Sequence, residues 1–439
     1  MLTRRGFLGV GGLGLFTLSA GCYPPGFSPT AWGADGPWEM LSQRSRAKRW
    51  KHRLLGYPIN MRTPSPEFFA WRKELFQAGI AAFAFNNVGD PFKTSPIAYN
   101  THDFECEIIR RFGQRFGFPA NDVWGFLSHS GTDSNLHGMY MGRTILQGRA
   151  GVLPKAYFSA EAHYSVPILQ DLLGLEAVLV DTLPDGALDP DDLGAKLADH
   201  ANAPALVIPT IGTTFKGAID DVDRIQGVLR GQTSYVHVDA ALFGGYLPFT
   251  AHAAEVAYRT DAAERSGRYD SIAVSCHKFF GFPSPAGLFL TRQQLHDEFM
   301  EGFSRVHNPE YIHHVPGTIT CSRDAVKPAE FYHLTTPTAV AIQVADAQAM
   351  LRDADYLRDE MVTHLPQFAA QRANPLSNTV YFRHPGDAIV KKYSLATMRL
   401  KRGNAMEPFA HVVVMPHVTR EVLAEFLADL ERLSPEAGR

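Results

Sequence analysis

Apolar strand patterns alternate with helical patterns through the middle of this 439-residue chain. Residues 156–158, 175–180 and 205–209 have the composition of buried strands, and residues 188–200 have the apolar spacing of a helix. Strands that are joined through helices lie parallel in one sheet, and the helices cover both faces of that sheet. The sequence therefore predicts an α/β fold with a mostly parallel sheet.

Two charged residues stand where strands of this sheet should end. Asp239 follows Val236 and Val238, and Lys278 follows the apolar residues 272–274. Ligands bind at the carboxyl ends of strands in open α/β sheets. A lysine there can hold a carbonyl cofactor through its amine, and a buried carboxylate needs a positive partner such as a protonated pyridine nitrogen. For the lysine on its own, the alternative is an ordinary solvated position in a loop.

An anion site is predicted at the segment from Ser130 to Thr132. A strand pattern at residues 121–127 precedes this segment, and a helical pattern at residues 136–146 follows it. Gly131 lets the backbone turn closely, and the unpaired amides of a first helical turn attract anions. The hydroxyls of Ser130 and Thr132 can donate further hydrogen bonds. The alternative is a plain helix cap without a ligand.

Taken together, these motifs resemble the group II amino acid decarboxylases of fold type I, which depend on pyridoxal 5′-phosphate (PLP). Within that family the chain is most similar to short bacterial histidine decarboxylases and to plant serine decarboxylases. The similarity rests on residues 239–241 (DAA) and 275–278 (SCHK), and it extends over residues 54–430. Further segments that carry it are residues 55–60 (LGYPIN), 87–92 (NVGDPF), 100–105 (NTHDFE), 163–166 (HYSV), 211–214 (IGTT), 217–220 (GAID), 377–380 (SNTV) and 414–419 (VMPHVT).

The resemblance implies an aspartate aminotransferase-type fold, with a large domain built on a mostly parallel sheet and a small α+β C-terminal domain. It places an N-terminal arm at residues 39–100, the large PLP-binding domain at residues 101–330 and the small domain at residues 331–439. It also implies a homodimer that the N-terminal arm helps to build, and dimers are the commonest symmetric assembly. The implied activity is decarboxylation of an L-amino acid, with histidine as the leading substrate.

The functional residues of the family carry over to a defined set of positions. Lys278 would hold PLP covalently, Asp239 would face the ring nitrogen, and His163 would stack on the ring. Tyr311 would return a proton to the substrate carbon. The resemblance assigns cofactor binding to Ser130, Gly131, Thr132, His163, Thr213, Asp239, Ala241, Ser275, His277 and Lys278, and substrate binding to Tyr57 and Arg323.

Two of these assignments have alternatives when the residues are considered alone. His163 fits a buried structural histidine as well as a ring-stacking one. Arg323 can bind a carboxylate as a bidentate fork, or it can anchor its own loop.

Departures from the family are found between residues 313 and 328. The family has Ser-Arg-Asp where residues 313–315 (HHV) stand, and Ser-Arg-Asn-Gly-His-Thr-Pro where residues 322–328 (SRDAVKP) stand. Because this region approaches the active site in relatives, it is predicted to set the substrate. Two alternatives to the decarboxylase are another fold-type I reaction on a different amino acid, such as aldol cleavage or oxidative deamination, and a PLP-binding protein without turnover.

The first 38 residues have the pattern of a twin-arginine export leader and a tether. Arg4 and Arg5 precede a weakly hydrophobic, glycine-rich stretch at residues 9–20, and a segment rich in Pro and Gly follows Cys22. The predicted location is the periplasm or the cell surface. Cys22 is a candidate for lipidation, which would anchor the protein to a membrane. The alternative is a cytosolic enzyme with a frayed N-terminus.

Charge and cysteine content argue against other classes of protein. A net charge of −3 does not favour a nucleic-acid-binding surface. The four cysteines (Cys22, Cys106, Cys276 and Cys321) have no paired metal-ligand spacing, so the sequence predicts neither a metal site nor a disulfide framework.

Overall fold

The computed structural model describes residues 51–259, 267–307, 309–310, 315–402 and 405–433. Predictions for the leader, for Cys22 and for Tyr311 therefore lie outside the described residues. The strands are β1 (Asn86–Val88), β2 (Trp124–Ser128), β3 (Lys155–Ser159), β4 (Glu176–Val180), β5 (Ala205–Val207), β6 (Ser234–Asp239), β7 (Ser271–Ser275), β8 (Gly287–Thr291), β9 (Ser322–Asp324), β10 (Thr379–Arg383), β11 (Ala396–Arg402) and β12 (Ala405–Val413). The α-helices are α1 (Pro66–Gln77), α2 (His102–Arg115), α3 (Gly131–Ala150), α4 (Ser165–Leu172), α5 (Pro190–Asp199), α6 (Val222–Val228), α7 (Phe243–Tyr246), α8 (Gln293–Phe303), α9 (Val326–Tyr332), α10 (Pro337–His364), α11 (Asp387–Tyr393) and α12 (Arg420–Leu433).

Seven strands form the central sheet, in the order β2-β8-β7-β6-β5-β3-β4. The strands from β7 to β4 run parallel to their neighbours, whereas β8 runs antiparallel to both β7 and β2. Helix α3 packs against β6, β7 and β8. The predicted α/β fold with a mostly parallel sheet is confirmed.

Strand β4 lies at the edge of this sheet, and the prediction of a buried strand there is wrong. Val178 and Val180 are buried, but Glu176 and Ala177 are exposed and Leu179 is 55% exposed. An edge strand with an outward leucine has the same short apolar run as a buried strand, so periodicity does not separate the two.

The register between β6 and β7 brings the two predicted catalytic segments together. His237 pairs with Ser271, and Asp239 pairs with Ala273. Since the two strands are parallel and end at the same edge, the chain that leaves β7 toward Lys278 starts beside Asp239.

The C-terminal part has its own antiparallel sheet, in the order β10-β12-β11. The sequence pattern predicts two helices here, at residues 339–357 and 360–368, and strands at residues 379–382 and 409–415. Helix α10 is instead continuous over 28 residues, from Pro337 to His364. The pattern predicts no strand at β11, because most residues of β11 are exposed and it lacks a continuous apolar run. Where the domains divide stays a prediction. No helix among the described residues is both long and apolar enough to cross a membrane.

Candidate active site

Lys278 and Asp239 line one small cavity at the carboxyl edge of the central sheet. The cavity is lined by Pro58, His163, Thr210, Gly212, Thr213, Thr214, Asp239, Ala241, Leu242, Lys278, Thr379 and Val413. A larger cavity of about 480 Å³ lies nearby, beside Asn60, Phe280 and Asp346, but none of its described lining residues is a lysine. Of these two cavities, only the smaller one is lined by an amine, a carboxylate and an imidazole among its described residues.

Asp239 is buried, and both of its carboxylate oxygens accept hydrogen bonds from the protein. Oδ1 accepts from the backbone amide of Ala241 at 3.0 Å, and Oδ2 accepts from the side-chain amide of Asn135 at 2.9 Å. The residue as a whole is 2% exposed. Both donors are neutral, and Asp239 forms no salt bridge within the described part of the chain. A buried carboxylate of this kind suits a cationic partner such as a protonated ring nitrogen.

Lys278 follows β7 by three residues and is fixed by its backbone. Its carbonyl oxygen accepts from the amides of Asn60 and Gly281, both at 3.3 Å. Burial lowers the pKa of the Lys278 amine, and the Asp239 carboxylate partly opposes this effect. A lowered pKa increases the fraction of neutral, nucleophilic amine near neutral pH.

His163 stands at the wall of the same cavity, at the start of α4. Its Nδ1 lies 2.8 Å from the hydroxyl of Ser165, which fixes the orientation of the ring. Burial lowers the pKa of His163; Asp239 raises it and Lys278 lowers it further. The imidazole is therefore favoured in its neutral form, with a face available to an aromatic ligand.

The predicted anion site lies at the N-terminus of α3, a helix of 20 residues. The Ser130 hydroxyl accepts from the amide of Asp133 at 3.2 Å, and a hydroxyl that accepts in this way still has its own hydrogen to donate. Thr132 is exposed in the first turn. The Ser275 hydroxyl lies where a side chain on residue 131 would be, because a Cβ atom on Gly131 would stand 2.2 Å from Ser275 Oγ. Glycine thus keeps open a cradle between the helix and the end of β7.

Two threonines that line the cavity carry further hydroxyl groups. Thr213 is buried, and its hydroxyl accepts from the amide of Ala218 at 2.9 Å. Thr210 pairs with Asp239 in an isolated parallel bridge, and its buried hydroxyl has no hydrogen-bond partner within the described residues. A buried hydroxyl without a partner is costly, and a cofactor with a ring oxygen would satisfy it. Sequence reasoning missed Thr210, since it stands just after the strand pattern and outside the quoted motifs.

The polar groups in the cavity, together with the α3 N-terminus beside it, fit PLP. The aldehyde requires an amine, the ring nitrogen requires a carboxylate, and the phosphate requires the helix N-terminus with its hydroxyls.

Among the remaining predicted cofactor residues, Ala241 lines the cavity, and His277 Nδ1 lies 3.2 Å from the carbonyl oxygen of Ala286. Burial lowers the pKa of His277. Tyr57 is 46% exposed, and its neighbour Pro58 is the residue of that segment that lines the cavity.

Arg323 is not available to a substrate, and the substrate-binding prediction for it is corrected. Its guanidinium forms a salt bridge with Glu105, and the two side chains are 1% and 0% exposed. It also donates to the carbonyl oxygen of Gly89 at 2.9 Å. Arg323 anchors β9 against β1 and α2, which is the second of the two roles considered for it.

Asn135 and His237 are buried beside Asp239, and sequence reasoning assigned neither of them a role. His237 Nε2 lies 3.0 Å from Asn135 Oδ1, and His237 Nδ1 lies 2.8 Å from the Ser271 hydroxyl. Burial lowers the pKa of His237 to about 4, and Asp239 opposes this. The spacing of His237 two residues before Asp239 on one strand is the signal that could have pointed to a shared face.

Comparison with known proteins identifies the family and its cofactor. Residues 146–368 match the family model described as the pyridoxal-dependent decarboxylase conserved domain. The chain is 32% identical over 400 residues to a histidine decarboxylase of Solanum lycopersicum, covering 89% of this chain and 86% of the relative. It is 33% identical over 396 residues to serine decarboxylase 1 of Oryza sativa subsp. japonica, covering 89% of this chain and 74% of the relative.

Solved structures share the fold at lower identity. An L-methionine decarboxylase from Streptomyces sp. 590 superposes with a TM-score of 0.77 at 22% identity, covering 90% of this chain and 94% of that one. A tryptophan decarboxylase of Catharanthus roseus superposes with a TM-score of 0.72 at 16% identity, covering 93% and 90%. These likenesses support the predicted fold type.

Proposed function

The chain belongs to the pyridoxal-dependent decarboxylase family, and from this premise we propose that its substrate is L-histidine, which it converts to histamine and carbon dioxide. As a PLP-dependent carboxy-lyase it acts on an amino acid. The observation that carries the assignment to this cavity is the convergence of Lys278, Asp239 and His163 on one small space.

The roles of these residues follow from their surroundings. PLP, when bound, supplies an electron sink for the electron pair that the departing carbon dioxide leaves behind. Lys278, an amine whose pKa is lowered by burial, would hold the aldehyde of the cofactor. Asp239 would stabilise a proton on the ring nitrogen, which would preserve the electron sink. His163 would pack against the ring and keep water from one of its faces.

Histidine is supported by the number of histidine decarboxylases among the relatives, including those of Mesorhizobium japonicum, Vibrio campbellii and Morganella morganii at 31–32% identity. Serine is the second candidate, because the rice serine decarboxylase 1 is as similar, at 33%. The experiment is to measure carbon dioxide and amine release from each of the twenty amino acids, with Lys278→Ala as the inactive control. Efficient release from histidine supports the proposal. Release from serine or another amino acid alone overturns the substrate while leaving the decarboxylase in place.

The region from residue 313 to residue 328 would set this substrate. Its described part lies close to the anion site, because the Thr320 hydroxyl donates to the Asp133 carboxylate of α3 at 3.2 Å. Tyr311, outside the described residues, would return the proton to the substrate carbon. Replacing Tyr311 by Phe should lower the yield of amine relative to carbon dioxide. An unchanged ratio and rate would exclude this role for the hydroxyl.

A homodimer is the proposed assembly. Helix α1 exposes Phe69 and Phe76, at 49% and 59%. An apolar stripe on α4 and the residue before it exposes Tyr164, Ile168 and Leu172, at 72%, 58% and 68%. The stripe begins next to His163, so a second copy of the chain seated there would adjoin the active site. Ile168→Asp should shift the mass measured by light scattering from dimer to monomer. The matched control is Val152→Asp, because Val152 lies outside the stripe and is 49% exposed.

Export is proposed from the leader pattern. Arg4 and Arg5 would direct the protein along the twin-arginine route to the periplasm or cell surface, and Cys22 would carry a lipid anchor if the leader is cleaved before it. Labelling of cells with a radioactive fatty acid, followed by isolation of the protein, tests the anchor. Label in wild type that is lost in Cys22→Ser supports it, and unlabelled wild type excludes it.

A further inference from the structure

We propose that Asn135 is a positioning residue that fixes the orientation of the Asp239 carboxylate, and that His237 and Ser271 lock Asn135 in turn. The inference rests on the role proposed above for Asp239. It concerns residues of this chain that do not line the cavity, so they would act through Asp239 rather than on the substrate.

The contact between Asn135 and Asp239 joins a helix to a strand. Asn135 lies in the second turn of α3, and its amide nitrogen donates to Asp239 Oδ2 at 2.9 Å. The backbone amide of Ala241 donates to Oδ1 at 3.0 Å. Two donors from two different elements thus fix the plane of the carboxylate. Loss of either donor would leave one carboxylate oxygen without its hydrogen bond and the plane of the group less firmly held.

The amide of Asn135 is itself held in one orientation. Its nitrogen must face the carboxylate, so its oxygen faces His237 Nε2 at 3.0 Å and requires a hydrogen there. His237 Nδ1 then accepts from the Ser271 hydroxyl at 2.8 Å. The hydrogen bonds therefore run in one direction, from Ser271 through His237 and Asn135, and end at the carboxylate.

The fold makes room for this chain of hydrogen bonds. His237 and Asp239 are two residues apart on β6, so they face the same side of the sheet, and Ser271 is the register partner of His237 on β7. A Cβ atom on Gly138, one turn after Asn135, would lie 2.2 Å from the His237 ring. Glycine at this position allows the imidazole to lie against α3 and reach Asn135.

The test compares Asn135→Leu, Asp239→Asn and the double variant, with Met139→Leu as a packing control on the same helix. For each protein one measures kcat and KM, the dissociation constant of PLP from apoprotein, the melting temperature of the apoprotein, and the pH midpoint of the absorbance change of bound PLP. We expect Asn135→Leu to lower kcat about 10- to 100-fold with little change in KM, since a hydrogen bond to a charged group is lost. Its pH midpoint should move in the same direction as that of Asp239→Asn.

In the Asp239→Asn background, Asn135→Leu should lower kcat by less than about twofold, because the two residues act as one unit. If Asn135→Leu lowers kcat equally in wild type and in Asp239→Asn, the inference is overturned. It is also overturned if Asn135→Leu lowers the melting temperature but leaves kcat and the pH midpoint unchanged. If Asp239→Asn itself keeps full activity, the role proposed for Asp239 is wrong. This result differs from those that overturn only the role of Asn135, so the two failures can be distinguished.

His237 provides a second test that does not depend on the fold tolerating leucine at residue 135. Gln can place an amide nitrogen near the position of Nε2, whereas Asn is too short to do so. His237→Gln should therefore retain most of the activity and the wild-type pH midpoint, and His237→Asn should resemble Asn135→Leu. Two His237 variants with equal kcat and equal pH midpoints would overturn the lock.

Discussion

Gly131 and Ser275 approach each other so closely that a Cβ atom on Gly131 would stand 2.2 Å from the Ser275 hydroxyl oxygen. One residue begins α3 and the other ends β7, so the contact sets the distance between the helix N-terminus and the segment that leads to Lys278. Both residues belong to the predicted cofactor site.

Gly131→Ala should weaken PLP binding by at least about tenfold. The new methyl group would push the Ser275 hydroxyl out of the cradle or displace the first turn of α3, and either change removes a donor to the phosphate. Titration of apoprotein with PLP, followed by absorbance, measures the effect. Gly148→Ala is the matched control, because a Cβ atom there meets no atom within 4 Å in the same helix. Equal dissociation constants for the two variants would remove this loop from the phosphate site.

The buried pair of Arg323 and Glu105 should dominate the stability of the β1–β9 region. Besides the salt bridge, Glu105 accepts from the amide of Leu127 at 2.7 Å and from the side chain of Asn87 at 3.0 Å. Arg323→Met would leave this carboxylate buried without its cation and should cost about 3–5 kcal/mol of unfolding free energy. Urea unfolding of the apoprotein measures the loss.

Two further variants separate the buried charge from ordinary side-chain loss. Glu105→Gln combined with Arg323→Met removes both charges of the pair, so the double variant should be more stable than Arg323→Met alone. Arg149→Met breaks the exposed pair of Arg149 with Glu298, at 40% and 35% exposure, and should cost no more than about 1 kcal/mol. A double variant less stable than the single one would show that the carboxylate does not need its cation.

The parts of the site that a linear pattern can predict are those at the ends of strands. Asp239 and Lys278 each follow an apolar run, and Gly131 stands between a strand and a helix, so their placement follows from periodicity and from the topology of parallel sheets. The family resemblance then supplied the cofactor. The same reasoning predicted β6, β7 and α3 within a few residues of their bounds.

The parts that could not be predicted depend on contacts between distant residues. Asn135 meets Asp239 across 104 positions of the sequence, and Arg323 meets Glu105 across 218. A local sequence pattern does not reveal either contact. For this reason the sequence predicted no role for Asn135 and two alternative roles for Arg323. Buried polar pairs of this kind arise only after the sheet and helices have packed.

His237 should make the apoprotein sensitive to acid. Its folded-state pKa of about 4 lies below the value of about 6.5 expected in the unfolded chain, so between these values the unfolded state binds the extra proton. The contribution of neutral His237 to the free energy of unfolding is therefore fully present above about pH 6.5, and it decreases as the pH falls toward 4. The slope for one proton is about 1.4 kcal/mol per pH unit.

His237→Gln isolates this contribution, because glutamine does not titrate. The ring forms hydrogen bonds with Asn135 from α3 and Ser271 from β7, neither of which is titratable. The titratable groups near it are Asp239 on its own strand and His137 on α3. Any stability deficit of the variant at pH 7.5 should shrink as the pH is lowered from 6.5 to 4.5. Urea unfolding at several pH values measures it. A deficit that stays constant with pH would mean that His237 has the same pKa in the folded protein as in the unfolded chain.

The last prediction concerns the compartment in which the cofactor is acquired. PLP is made inside the cell, and its proposed site combines residues from Ser130 to Lys278 that meet only in the folded chain. The twin-arginine route moves folded proteins, and bound PLP would stabilise the fold before transport. Arg4→Lys with Arg5→Lys should therefore leave active, PLP-loaded enzyme in the cytoplasm, while wild type is found outside it with cofactor bound.

Cell fractionation, with activity and absorbance measured in each fraction, tests this prediction. The matched control is Arg44→Lys with Arg46→Lys, a pair of arginines beyond the predicted leader. Wild type retained in the cytoplasm, or both arginine pairs behaving alike, would mean that residues 1–38 do not direct export.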